Sequence, residues 1–142
     1  MRDFLESLER VYAAVEEAKR SGIVLTARAD GFGKGVYELN ETLRRPLAYA
    51  EAGANVVYAP GLLDLEMIRT VCSSVPAPVN HVLGQGANGL TFEALANAGV
   101  RRISLGGSFT RTALGAVANV AKLIASGNFE AVDTAPSWSD LR

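Results

Sequence analysis

The chain has 142 residues, 49% of them hydrophobic, which is enough for one domain with a real core. A formal net charge of -1 and a pI near 5.8 give no general pull toward nucleic acid or an anionic membrane. The apolar runs are too short to cross a bilayer, no signal peptide is evident, and a lone Cys72 with no Cys or His cluster offers neither a disulfide nor a zinc site, so the expectation is a soluble cytoplasmic protein.

Apolar residues at Phe4, Leu5, Leu8, Val11, Tyr12, Val15 and Ala18 predict a helix from Asp3 to about Lys19, stopped by Ser21-Gly22. A strand Ile23 to Ala27 follows, then a polar glycine-rich loop from Asp30 to Gly35. Asn40 is a candidate N-cap for a second helix running to Ala52-Gly53. Pro46 lies inside that helical pattern, so the helix is expected to kink there or to begin at Pro46. Asn55 to Ala59 reads as a continuous apolar strand closed by Pro60-Gly61, with a helix around Leu65 to Val71 after it. A third strand near Val79 to Leu83 ends in Gly84-Gln85-Gly86, and a helix with Thr91 as N-cap runs to Ala98-Gly99. The fourth strand, Arg102 to Leu105, ends at Gly106-Gly107 and leads into a long helix from about Thr110 to Ser126. Residues 127–142 form a polar tail in which Phe129 and Trp138 are expected to dock on a neighbour.

The fold class is therefore α/β, with four consecutive βα units. Such units build either an open doubly wound sheet or half of an eight-unit barrel, and periodicity does not choose between them. In both, ligands bind at the C-terminal ends of the strands. The most informative segment is Leu25-Thr26-Ala27-Arg28-Ala29-Asp30-Gly31, an apolar strand ending in an arginine and an aspartate. Charge at the end of a buried strand is costly unless it acts on something, which makes Arg28 a candidate ligand-binding residue. Asp30, two residues on, shares its face. The alternatives are an Arg28–Asp30 pair that merely closes the strand end, and an aspartate that starts the loop turn. His81 lies near the start of its strand, where a packed or solvent-facing role is expected rather than proton transfer. Cys72 reads as a small core residue, the Gly-rich strand ends as tight turns or anion sites, and Arg101-Arg102, on the side opposite the ligand-binding strand ends, as a solvated or carboxylate-paired couple before the fourth strand.

The segments Thr26-Ala27-Arg28-Ala29-Asp30, Ala48 to Ala54, Val57 to Gly61, Pro78-Val79-Asn80 and Gly99 to Gly107 resemble the C-terminal half of the isocitrate lyase/phosphoenolpyruvate mutase superfamily. The resemblance covers nearly the whole chain and implies strands five to eight of a (β/α)8 barrel: residues 1–142 as a single partial domain, with 127–142 as its tail. It further implies a half that is completed by a homo-oligomer or by a complementary N-terminal half. Enzymes of that family make or break a C–C or P–C bond beside a carboxylate, through an enolate held by Mg2+ and fixed donors.

By the resemblance, Arg28 is the catalytic arginine that grips a substrate carboxylate. Asp30, Asn80, Gly106 and Gly107 are the further candidates for binding a small oxo or hydroxy carboxylic acid. A planar guanidinium suits that task because it grips a carboxylate with two parallel hydrogen bonds. The family's metal-binding aspartates lie in the N-terminal half, so the implied Mg2+ has no ligand in this chain. The lyase branch carries a glutamate where this chain has Pro60, and its seventh-strand asparagine lies further past the proline than Asn80 does. Both departures leave the reaction open among lyase, mutase and hydrolase, and the alternative is a non-catalytic half that binds a carboxylate or complements another subunit.

Overall fold

The computed structural model describes residues 2–36, 38–84, 89–133 and 135–140. It divides into two compact units, Met1–Leu105 and Gly106–Arg142. The first holds α1 (Phe4–Ser21), β1 (Thr26–Arg28), a 3-10 turn (Phe32–Lys34), α2 (Leu39–Glu51), β2 (Val56–Tyr58), α3 (Leu65–Ser74), β3 (Val79–Val82), α4 (Phe92–Asn97) and β4 (Val100–Ser104). The second holds α5 (Ser108–Ala125) and α6 (Glu130–Asp133). Among the described residues, no helix is long and apolar enough to cross a membrane.

All strand pairs are parallel and the order is β1-β2-β3-β4 without reversal. A sheet wound in one direction by right-handed crossovers collects its helices on one face and has no topological switch point, unlike a doubly wound sheet. The core agrees with that rule. Ala27, Ala29, Val57, Ala59 and Val79 share one face of the sheet and pack with Tyr49, Ile68, Val71, Leu95 and Ala98 of the helices. The opposite face carries Thr26, Arg28, Val56, Tyr58, Asn80, Val82, Arg102 and Ser104, and among the described residues the helices of this unit pack on the other side.

The helix ends follow local chemistry. Asp3 caps α1 by accepting the Glu6 N–H at 2.9 Å, and Gly22 closes it in the left-handed region. Asp64 and Thr91 cap α3 and α4 in the same manner. The two Ala-Gly junctions also match one another: α2 and α4 each stop at an alanine, and Gly53 and Gly99 follow with φ of +104° and +99°.

The second helix departs from expectation. It starts at Leu39 after Glu38, so Asn40 lies inside it, and it runs unbroken through Pro46. Proline removes the N–H that would bond the Thr42 carbonyl, but Pro46 is fully buried, and tertiary packing outweighs the local cost. The tail also gains the short helix α6, absent from the sequence reading, while Phe129 and Trp138 are exposed.

One buried charge ties α2 to α1. The Arg45 side chain is 6% exposed, and its Nε donates to Glu41 Oε1 at 3.0 Å while Nη1 donates to Ser7 Oγ at 3.1 Å and Nη2 to the Arg2 carbonyl at 3.4 Å. Arg44 stacks beside it on the Phe4 ring, 3.7 Å from the centroid. Breaking such a buried arrangement on one side leaves its partners uncompensated. Arg45→Met is expected to lower stability by about 2–3 kcal/mol in urea unfolding, mainly through the lost charge-assisted bonds; an unchanged midpoint would show that the α1–α2 contact stands without them.

Candidate functional site

Register places Arg28 opposite Tyr58, Tyr58 opposite Asn80, and Asn80 opposite Arg102. One row across the face opposite the helices thus carries Arg28, Tyr58, Asn80 and Arg102, of which the two arginines are exposed and Tyr58 and Asn80 are buried. At its first strand, Arg28 Nη2 lies 2.6 Å from Asp30 Oδ1, and its Cζ sits 4.9 Å from the Tyr58 ring centroid. The Arg28 side chain is 56% exposed. It is a guanidinium held on one edge and one face while remaining open to solvent.

Asn80 occupies the middle of the face and is 2% exposed. Its Oδ1 accepts from Arg102 Nη1 at 2.9 Å and its Nδ2 donates to Ser104 Oγ at 3.1 Å. Ser104 Oγ in turn donates to the His81 carbonyl at 3.4 Å. The Asn80 amide is therefore engaged at both ends by β4 and holds that strand's polar groups in place. Among the described residues Arg102 has no carboxylate partner.

Arg102 is exposed, in keeping with a solvated role, but it lies inside the fourth strand rather than ahead of it and bonds Asn80. The strand begins at Val100, and a bulge between Val79 and Asn80 on the partner inserts Arg101 as an extra residue. Val100 stays in the apolar core while Arg102, two residues later, turns onto the face opposite the helices.

The loops beyond β1 and β2 meet at a glycine crossing. A Cβ on Gly61, whose φ is +93°, would lie 2.3 Å from the Gly33 Cα, and a Cβ on Gly33 would lie 2.8 Å from the Pro60 carbonyl oxygen. Only two glycines permit this approach, which fixes the loop that follows Asp30 against the end of β2. Beside Arg28 and Asp30, an open cleft of about 350 Å³ runs along the outer edge of β1, with Arg10, Arg45 and Tyr49 among its lining residues.

The structure thus brings Arg28 and Asp30 together and places Asn80 on the same face. Gly106 and Gly107 belong to the second unit, where Gly106 has φ of +53° and Gly107 precedes the first turn of α5. Of the third strand's glycine-rich end, Gln85 and Gly86 lie outside the described residues. Tyr58, Arg102 and Ser104 were missed by the sequence reading. Tyr58 could have been found from its place at the end of the second strand, level with Arg28; nothing in the sequence marks the bulge that redirects Arg102.

Residues 1–125 match the family model for phosphoenolpyruvate phosphomutase. The chain belongs to the phosphoenolpyruvate phosphomutase family. Within the wider phosphoenolpyruvate mutase/isocitrate lyase superfamily, it is similar to a Burkholderia cenocepacia J2315 protein provisionally assigned as a lyase/mutase. That match has 38% identity and a TM-score of 0.92, and covers 99% of this chain and 52% of that one. It is similar also to 2,3-dimethylmalate lyase, a member of that superfamily, with 27% identity, a TM-score of 0.76, and coverage of 89% and 47%. An uncharacterised Mycobacterium tuberculosis protein is 29% identical over 106 residues, 74% of this chain and 40% of its own length. The chain spans about half of each solved relative and less than half of the curated one.

In this family member, His81 turns away from the candidate site. It alternates with Asn80 along β3, points toward the helices, and is 4% exposed, with no hydrogen-bond partner for Nε2 among the described residues. Burial pushes its imidazole below the ordinary value of 6.5. The folded state therefore favours the neutral ring. The stability this protects is fully present above 6.5 and is lost as the pH falls from there through the lower folded-state value. Chemical unfolding midpoints measured across that window are expected to drop on acidification, and His81→Leu, which removes the sole histidine, should flatten the drop. An acid limb that survives in the variant would assign it to carboxylates instead.

Proposed function

We propose that this chain is the carboxylate-binding half of a lyase or mutase barrel acting on small oxo or hydroxy acids, with Arg28 as the residue that receives the acid. The carrying observation is the Arg28 guanidinium at the C-terminal end of β1, open to solvent yet held by Asp30 and Tyr58. A guanidinium so placed offers a second fork of N–H donors to a carboxylate or to the oxygens of an enolate. Negative charge that grows on such an oxygen is stabilised most by donors already in position.

On this reading the four strands are the fifth to eighth of an eight-stranded barrel. Support comes from the unreversed strand order, the polar row on the face opposite the helices and the half-length match to the solved relatives. The free edges of β1 and β4 would then be closed by a second copy or by a complementary N-terminal half.

The residues present do not fit a Mg2+ site. Among the described residues no group of three or more His, Cys, Asp or Glu could hold a metal ion, and Asp30 is already tied to Arg28. The chain's own contribution is thus anion binding and orientation, which also favours the second reading of a non-catalytic binding half.

Two measurements test this. In isothermal titration with oxalate, the chain is expected to bind without added metal, and Arg28→Met is expected to weaken binding by about tenfold or more, as loss of a charge-assisted pair implies. Equal binding by the variant would overturn the carboxylate role. Light scattering is expected to give a mass of at least twice 15.0 kDa if copies of the chain close the edges on one another; a stable monomer would eliminate self-closure and leave the complementary half.

A further inference from the structure

We propose that Tyr58 is a positioning residue for Arg28: its ring is the fixed surface that holds the guanidinium plane where a ligand carboxylate meets it. This inference rests on the reading of Arg28 as the carboxylate receptor. Arg28 and Tyr58 are register partners on adjacent strands, so their side chains leave the same face side by side. The Arg28 Cζ lies 4.9 Å from the ring centroid, within cation–π range.

The two partners differ in mobility by construction. Tyr58 is 8% exposed at the centre of the sheet, whereas Arg28 is 56% exposed in its side chain. A long exposed side chain samples several rotamers unless something confines it, and a buried aromatic face confines it without using any of its N–H donors. Asp30 does use one, at Nη2. The ring therefore leaves the remaining donors free for a ligand, which a second carboxylate would not.

The phenol oxygen has no part in this. Tyr58 Oη makes no hydrogen bond among the described residues, and the contact that Tyr58 makes with Arg28 is through the ring face. Burial also pushes the phenol above its ordinary 10.0, against the pull of the Arg28 charge, so the ring stays neutral and acts through its face rather than as a counter-ion.

The test uses the full chain, oxalate as the probe, and three variants. Tyr58→Phe is expected to bind oxalate within about twofold of the parent, while Tyr58→Leu weakens binding about fivefold, the range a lost cation–π contact implies. Between neutral and mildly alkaline pH, the parent's affinity should not track phenol ionisation. NMR gives a readout that a packing role would not move: the Arg28 Nε–Hε signal should carry a ring-current shift in the parent and in Tyr58→Phe and lose it in Tyr58→Leu. Parent-like oxalate affinity in Tyr58→Leu, with Arg28→Met still impaired, would overturn the positioning role and leave the carboxylate reading intact. Oxalate binding indifferent to Arg28→Met would overturn the carboxylate reading itself. Should Tyr58→Leu fail to fold, an unshifted Arg28 Hε in the parent chain is sufficient to overturn the proposal.

Discussion

Everything in the first unit depends on the direction in which its sheet is wound. Four parallel strands in sequential order, joined by right-handed crossovers, have only one face on which to collect helices. That face becomes the apolar core, with Val57, Ile68, Val71 and Leu95 almost fully excluded from water. Among the described residues the helices of this unit pack on that one face, and on the other face β-strand positions that would carry valine or isoleucine in a sheet covered on both sides carry Arg28, Asn80, Arg102 and Ser104 beside Val56 and Val82. The polar row across the strands is a consequence of the winding, and the candidate site is one end of that row.

The energetic scale of the site is modest, and this suits exchange with a ligand. An exposed arginine–aspartate pair contributes on the order of 0.2–1 kcal/mol, because solvent screens it and two side chains must be ordered. Arg28 and Asp30 therefore hold one another without locking, which on the proposed reading leaves Arg28 able to exchange partners with a ligand carboxylate. The Arg45 cluster is the contrast. There the guanidinium is buried, its donors go to Glu41, Ser7 and the Arg2 carbonyl, and it joins helices. Two arginines in one small fold thus sit in opposite settings, one buried and fully engaged and the other open to solvent.

Much of this was legible beforehand. The presence and order of the four strands, their helix partners and the caps at Thr91 and Gly53 follow from period and punctuation, which act over a few residues, although the first strand begins at Thr26 rather than Ile23, and the Arg28–Asp30 pair was only one of the alternatives at that strand end. The failures share a different origin. Pro46 looked like a breaker because its cost is local, while its compensation comes from packing partners distant in sequence. Asn40 looked like a cap because its type fits, yet the cap lies two residues earlier, at Glu38. The choice between a doubly wound sheet and a singly wound one was invisible to periodicity, since both have the same βα rhythm, and required the strand order itself. Tyr58 went unnoticed because an aromatic in an apolar strand is ordinary until its register partner is known.

The bulge opposite Val79 and Asn80 has an evolutionary consequence. With one added residue, β4 can place Val100 against the helices and Arg102 on the polar face two positions later, although strict alternation would assign both to the same side. Neighbouring codons of one strand thereby answer to opposite solvents, and substitution at either position is judged by a different standard. Deleting Arg101 would leave Val100 and Arg102 adjacent, and ordinary alternation would keep each on its present face and opposite its present partner, so the bulge is an insertion that the two flanking halves of the strand accommodate without exchanging oil for water.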